Sequence, residues 1–186
     1  MAATLLLQSG APPTLALGFT GREWWTVVHG MGLGALFLLA FAGGLAELYS
    51  LKPTLVTRAG VVRRMRRVRI GVTGMAVAAW ATVITGTWTV YPWYRERTPD
   101  SARSQLLADP ATADWHEFGM EWKEHIAWFS PFLATAVAFI VWYYGPGLIR
   151  HERVRHTTIA LFVLAFAFAA IAGALGAFIT KVAPVQ

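Results

Sequence analysis

Apolar residues run almost unbroken through four stretches, near 24–50, 69–93, 124–148 and 156–181, and polar residues gather between them. Each stretch is long enough, at about 1.5 Å per residue, to cross roughly 30 Å of hydrocarbon as a helix. A helix is the expected form because it satisfies its own backbone N–H and C=O groups where no water can. The pattern predicts an all-α, polytopic membrane protein, a four-helix up-down-up-down transmembrane bundle forming one membrane domain over 22–186. Residues 1–21 read as a short N-terminal external tail, and 94–123 as the one sizeable external loop. The first twenty residues lack a basic n-region, and Leu5-Leu6-Leu7 is far short of a leader's apolar core, so no cleavable signal peptide is expected.

Aromatic residues mark the ends of these spans. Trp24-Trp25 opens the first and Tyr49 closes it, Tyr91-Pro92-Trp93-Tyr94 ends the second, and Trp142-Tyr143-Tyr144 ends the third. Such belts anchor helices at the headgroup level. Charge then orients the chain. The connections between spans one and two and between spans three and four hold ten Lys or Arg residues against two acidic ones, Glu47 and Glu152. The opposite side carries six basic and eight acidic residues. Positive-inside therefore predicts cytoplasmic basic loops and external termini in a bacterial-type inner membrane. Glu47 is expected to pair with Lys52 or with an arginine of the 150–155 turn, and His151 and His156 read as solvated turn histidines.

Composition narrows the chemistry. Of 186 residues 56% are hydrophobic and only 14% charged, too apolar for an ordinary soluble domain. The net charge of +6 sits between apolar spans, where topology and lipid headgroups account for it, so no nucleic-acid partner is expected. Membrane lipid is the expected surrounding, and the Arg63–Arg69 run would attract anionic lipid. There is no cysteine, which excludes disulfides, thiolate metal sites, iron–sulfur clusters and covalently attached haem.

Chemistry-bearing residues concentrate in Asp114-Trp115-His116-Glu117-Phe118-Gly119-Met120-Glu121-Trp122-Lys123-Glu124-His125. On a helix at about 100° per residue, Trp115, Phe118, Trp122, His125 and Phe129 share a stripe, with the glutamates to one side. That stripe is expected to face the bundle interior, which would aim His125 inward, and Glu117, Glu121 and Glu124 read as a solvated face with Lys123 among them. Pro131 is expected to kink a single long helix rather than to start a separate one. A weak internal repeat supports the choice of histidine: His29 follows Trp24-Trp25 and lies twenty residues before Tyr49, and His125 follows Trp122 and lies nineteen before Tyr144. Both therefore sit about 30 Å from the inner tyrosines.

Two histidines at one height on spans one and three can face each other across a bundle. Gly30, Gly32 and Gly34 beside His29 would allow close approach by a helix or a flat macrocycle. The expectation is a b-type haem whose iron is held by His29 and His125, with Gly30 and Gly34 lining its slot. A weaker alternative is an outer metal site using Glu121 and His116. No charged residue stands at mid-depth in any span, which argues against an ion path.

On His29, His125, the glycines at 30, 32 and 34 and the basic loops, the layout resembles the four-helix membrane cytochrome b subunits. That resemblance implies an electron-transfer subunit of a respiratory, quinol-linked complex, with protein partner subunits, quinone as a redox partner, and no independent catalytic site beyond an oxidoreductase assembly. It departs from the two-haem members, since no span carries a pair of histidines half a membrane apart. The rival reading is a cofactor-free scaffold or assembly subunit that docks an extracytoplasmic partner through helix 114–128.

Overall fold

The computed structural model describes residues 18–184, apart from the side chain of Arg58. The expected tail over 1–21 lies mostly outside the described residues. Four long helices, α1 (Gly21–Ser50), α2 (Ala59–Tyr94), α4 (Trp115–Arg150) and α5 (Glu152–Val182), are long and apolar enough to cross a membrane. A short helix, α3 (Ala102–Ala108), lies in the connection between α2 and α4, and no strand forms among the described residues. The protein is therefore all-helical, with the hydropathy of a multi-pass membrane protein.

The helices outrun the apolar stretches that predict them. Thr20 caps α1, its hydroxyl accepting from Glu23 N at 3.2 Å while the Glu23 carboxylate accepts from Thr20 N at 2.7 Å. Thr57 caps the next helix through Gly60 N at 3.2 Å, so Arg63, Arg64, Arg66 and Arg67 are helical rather than loop residues. Helix α4 starts at Trp115, which shortens the expected 94–123 loop to 95–114. The helical segment runs on as far as Arg150, with irregular backbone at Trp115–Met120, at Ala127-Trp128 and from Gly145 onward. Ala127 stands four residues before Pro131, where a proline ring displaces the carbonyl it cannot bond.

Specific contacts join the long helices to one another. His29 near the start of α1 meets Gly86 near the end of α2, and Gly44 meets Gly71 deeper in the pair. Trp142 and Trp80 of α4 and α2 bond Thr73 and Thr135 across their interface at 3.1 and 3.0 Å. Lys123 and Gly119 of α4 reach Gly176 and Ile179 of α5, and Phe41 of α1 stacks on Phe166 of α5 at 4.2 Å. A Cβ on Gly71 would lie 2.9 Å from the Gly44 Cα, so it is these two glycines, not those beside His29, that bring backbones together.

The interior divides into two apolar parts. The larger, around Leu48, Met65, Val72, Met75, Val137, Val141 and Phe162, fills the half of the molecule nearest the basic turns. The smaller, around Tyr94, Leu106, Met120 and Ile179, sits under α3 at the opposite end. Glu47 pairs with Arg67 at 2.6 Å, not with Lys52 or the 150–155 turn, because α2 carries Arg67 in helical register beside α1. Lys52 instead lies over the Tyr49 ring at 4.4 Å.

Candidate functional site

Toward the end of the smaller apolar part, which Tyr91 itself adjoins, the long helices carry a layer of polar side chains: His29, Thr85, Tyr91, Lys123 and Glu124. Three of the long helices widen there. The backbone takes π-helical turns at Val28–Gly32, Gly86–Val90 and Trp115–Met120, all toward the same end of the molecule. A π turn fits one extra residue into an α-helix, re-aims the side chains around it, and is frequent at functional sites.

His29 sits in the first of these turns, half-buried against α2. Its Nδ1 is 3.0 Å from Thr85 Oγ1. The Thr85 hydroxyl donates its own proton to Ala81 O at 2.7 Å, so its oxygen accepts and His29 Nδ1 carries the hydrogen. Nε2 is then the lone-pair nitrogen, without a hydrogen-bond partner among the described residues. Gly86 makes the arrangement possible: a Cβ there would stand 2.9 Å from His29 Cε1.

His125 repeats that chemistry in a different setting. Its Nδ1 bonds the Glu121 carbonyl of its own helix at 2.6 Å, which again leaves Nε2 bearing the lone pair. The residue is exposed, as are Phe118, Trp122 and Phe129. The aromatic stripe on which His125 lies thus faces outward, contrary to expectation. In a bilayer the most apolar face of a helix meets lipid, and the polar face turns inward where partners exist. No contact joins the two imidazoles among the described residues: His29 is held against α2, and His125 against α4's own backbone. Gly30, Gly32 and Gly34 border open space, a Cβ on any of them meeting nothing within 4 Å.

The inward face of α4 supplies residues that the sequence reading left in solvent. Lys123 folds against α5, its Cε 2.9 Å from where a Gly176 Cβ would be. Its charge acts on the His29 ring and on Glu124. Glu124 Oε1 is buried without a hydrogen-bond partner among the described residues. Residues 123 and 125 are about 200° apart around a helix, so the side that offers Lys123 to His29 turns His125 away. Lys123 lies off the aromatic stripe, four residues before the small Ala127 and three after Met120.

His116 occupies the rim beneath α3. Its Nδ1 is 2.8 Å from the Tyr94 hydroxyl and its Nε2 accepts from Arg103 Nε at 3.2 Å, so both ring nitrogens are engaged. Glu121 pairs with Arg95 at 3.0 Å. The proposed outer metal pair is thus committed to arginines and a tyrosine, and no group of three or more His, Asp or Glu residues suited to a metal ion forms among the described residues. Arg22 and Glu96, 2.7 Å apart, tie α1 to the connection after α2. No family model matches the chain, nor does any curated protein or solved structure.

Proposed function

We propose that the protein is an integral-membrane electron-transfer subunit that holds one b-type haem near the end opposite its basic turns, in a quinol-linked respiratory assembly. The observation that supports this reading is the state of His29. Its Nδ1–H is fixed by a threonine oxygen and its Nε2 lone pair is left over, the arrangement in which a histidine serves as a metal ligand with an oriented ring. Bound haem would supply a one-electron couple. His29 would hold the haem iron through Nε2, with Thr85 fixing its tautomer, Gly86 seating the ring, and the open space at Gly30 and Gly34 leaving room for a flat group. His125, with the same nitrogen free, is the candidate second ligand, on a face that lipid or a partner covers. In this reading the basic turns are cytoplasmic in a bacterial inner membrane, the helices run up-down-up-down, and both termini are external.

The test is a reduced-minus-oxidised visible spectrum of the full chain, purified in mild detergent after expression with ample haem. Bands of a b-type haem are expected, to be lost in His29→Ala and kept in His151→Ala. Conversion rather than loss of the bands in His125→Ala would assign His29 as the ligand that retains the group. Thr85→Val, which removes the oxygen on Nδ1, is expected to weaken haem retention about 10–100-fold. A wild-type protein without such bands sinks the reading. In that case the exposed Phe118 and Trp122 favour the second reading, a cofactor-free membrane scaffold or assembly subunit docking an extracytoplasmic partner through helix 114–128.

A further inference from the structure

At the basic end, α2 and α4 leave an outward-facing groove of about 710 Å³. That is within the range of about 300–1,000 Å³ typical of small-molecule sites. Val62, Arg66, Ile70, Gly74 and Val77 follow one another along a single face of α2, about one turn apart, and Trp142 and Pro146 form the facing wall. Toward the middle of the helices the lining is apolar: Ile70 and Val77 are each 63% exposed. Toward the basic end it carries two guanidinium groups and no carboxylate.

Arg69 is held in place by its surroundings and left chemically unsatisfied. Its guanidinium lies 4.4 Å from the Trp142 ring centroid, and its terminal nitrogen lies 2.9 Å from where a Cβ on Gly145 would be. Gly145 has φ of +50°, so a glycine both turns the chain there and clears space for the arginine. Yet Arg69 Nε is buried without a hydrogen-bond partner. The two carboxylates of the basic connections are engaged elsewhere, Glu47 with Arg67 and Glu152 beside Arg155 and His156. A fixed cation with an unused donor, at the head of an apolar channel open to hydrocarbon, is complementary to an anionic headgroup attached to an acyl chain.

We infer that this groove is a binding site for one anionic phospholipid, its phosphate on Arg66 and Arg69 and an acyl chain along Ile70 and Val77 against Trp142. The inference stands apart from the haem reading, since it uses neither the residues nor the end of the molecule on which that reading depends.

The test is native mass spectrometry of the full chain in detergent, titrated with phosphatidylglycerol or with phosphatidylcholine of the same acyl chains. One retained phosphatidylglycerol is expected, with clear preference over phosphatidylcholine. The double substitution Arg66→Gln with Arg69→Gln should lower phosphatidylglycerol affinity about thirtyfold, at roughly one charge contribution per arginine, and lower that of the zwitterionic phosphatidylcholine much less. Val77→Trp, which fills the chain bed, should weaken both lipids. Arg63→Gln with Arg153→Gln removes two exposed charges outside the groove and should leave the preference intact. Equal binding of the two lipids to the wild type, or an equal loss in the Arg63/Arg153 control, overturns the site. If the Arg66/Arg69 variant does not fold, brominated phosphatidylglycerol decides. It should quench wild-type tryptophan fluorescence more than brominated phosphatidylcholine does, and the same difference surviving in Trp142→Phe would also overturn the site.

Discussion

His29 rests on Gly86: the imidazole Cε1 stands 2.9 Å from the position a Cβ would take. Gly86→Ala must therefore push the ring off Thr85 or shift α2 away from α1. The expected cost is about 1–3 kcal/mol, as for other overpacking changes, against almost nothing for Gly30→Ala, whose new methyl meets open space. Thermal melts of the two variants in one detergent check this, and equal melting temperatures would show that the contact is not maintained.

Gly176 gives Lys123 its place on α5 in the same manner. Gly176→Ala is expected to destabilise, and the pair Gly176→Ala with Lys123→Ala to recover most of the loss, because the shortened side chain no longer needs the space. A double-mutant cycle measures that coupling, expected at about 0.5–3 kcal/mol. Additive effects would place Lys123 elsewhere.

The rim contacts of His116 yield a third expectation. Tyr94→Phe removes the hydroxyl on Nδ1 and leaves a buried ring nitrogen without its partner, at a cost of about 1–3 kcal/mol. Because Tyr94 and His116 tie the end of α2 to the start of α4, hydrogen exchange should rise first in residues 95–114. Unchanged exchange there would count against the His116 contacts as the fastening of that connection.

Arg67→Gln removes the partner of Glu47, whose Oε2 is already buried and unbonded. Since the Arg67 side chain is 55% exposed, the pair itself is worth no more than about 1 kcal/mol. Glu47→Gln should be milder than Arg67→Gln, because it leaves no carboxylate behind. Chemical denaturation of both variants tests the order, and a reversal would mean that Glu47 draws on another cation.

Hydropathy made the four long helices legible, because length and apolarity alone decide whether a helix can cross a bilayer. It set their ends too narrowly. Arg63–Arg67 are charged yet helical, since Thr57 caps them and Glu47 and Ser50 of α1 receive Arg67 and Arg64. Trp115–Lys123 are polar yet helical for a related reason: their polar face turns inward onto Tyr94, Arg103 and α5. The irregular turn at Ala127-Trp128 stands where a proline at 131 would be felt, because the proline's effect is local and four residues long.

The face of α4 was not legible. Periodicity locates a stripe but does not say which side of a membrane helix meets lipid, and water-soluble habit assigns the aromatic stripe of Trp122 and His125 to the core. Thr85 and Gly86 were equally hidden, since neither is notable until the wide turn at Val28–Gly32 brings His29 over them. The free Nε2 of His29 depends on a hydroxyl whose proton is spent on Ala81, and no spacing rule announces that.

Each widened turn carries a consequence for the helix that contains it. One additional residue at Val28–Gly32 offsets everything before it by about 100° relative to Phe37 and the residues beyond. Trp24, Trp25 and Arg22 are consequently out of phase with Phe37, Gly44 and Leu48, which α1 buries lower down, and the helix serves two different neighbourhoods with one continuous backbone. Deleting a single residue there would rejoin the two phases, and His29 would rotate away from Thr85 even with every side chain of the layer unchanged.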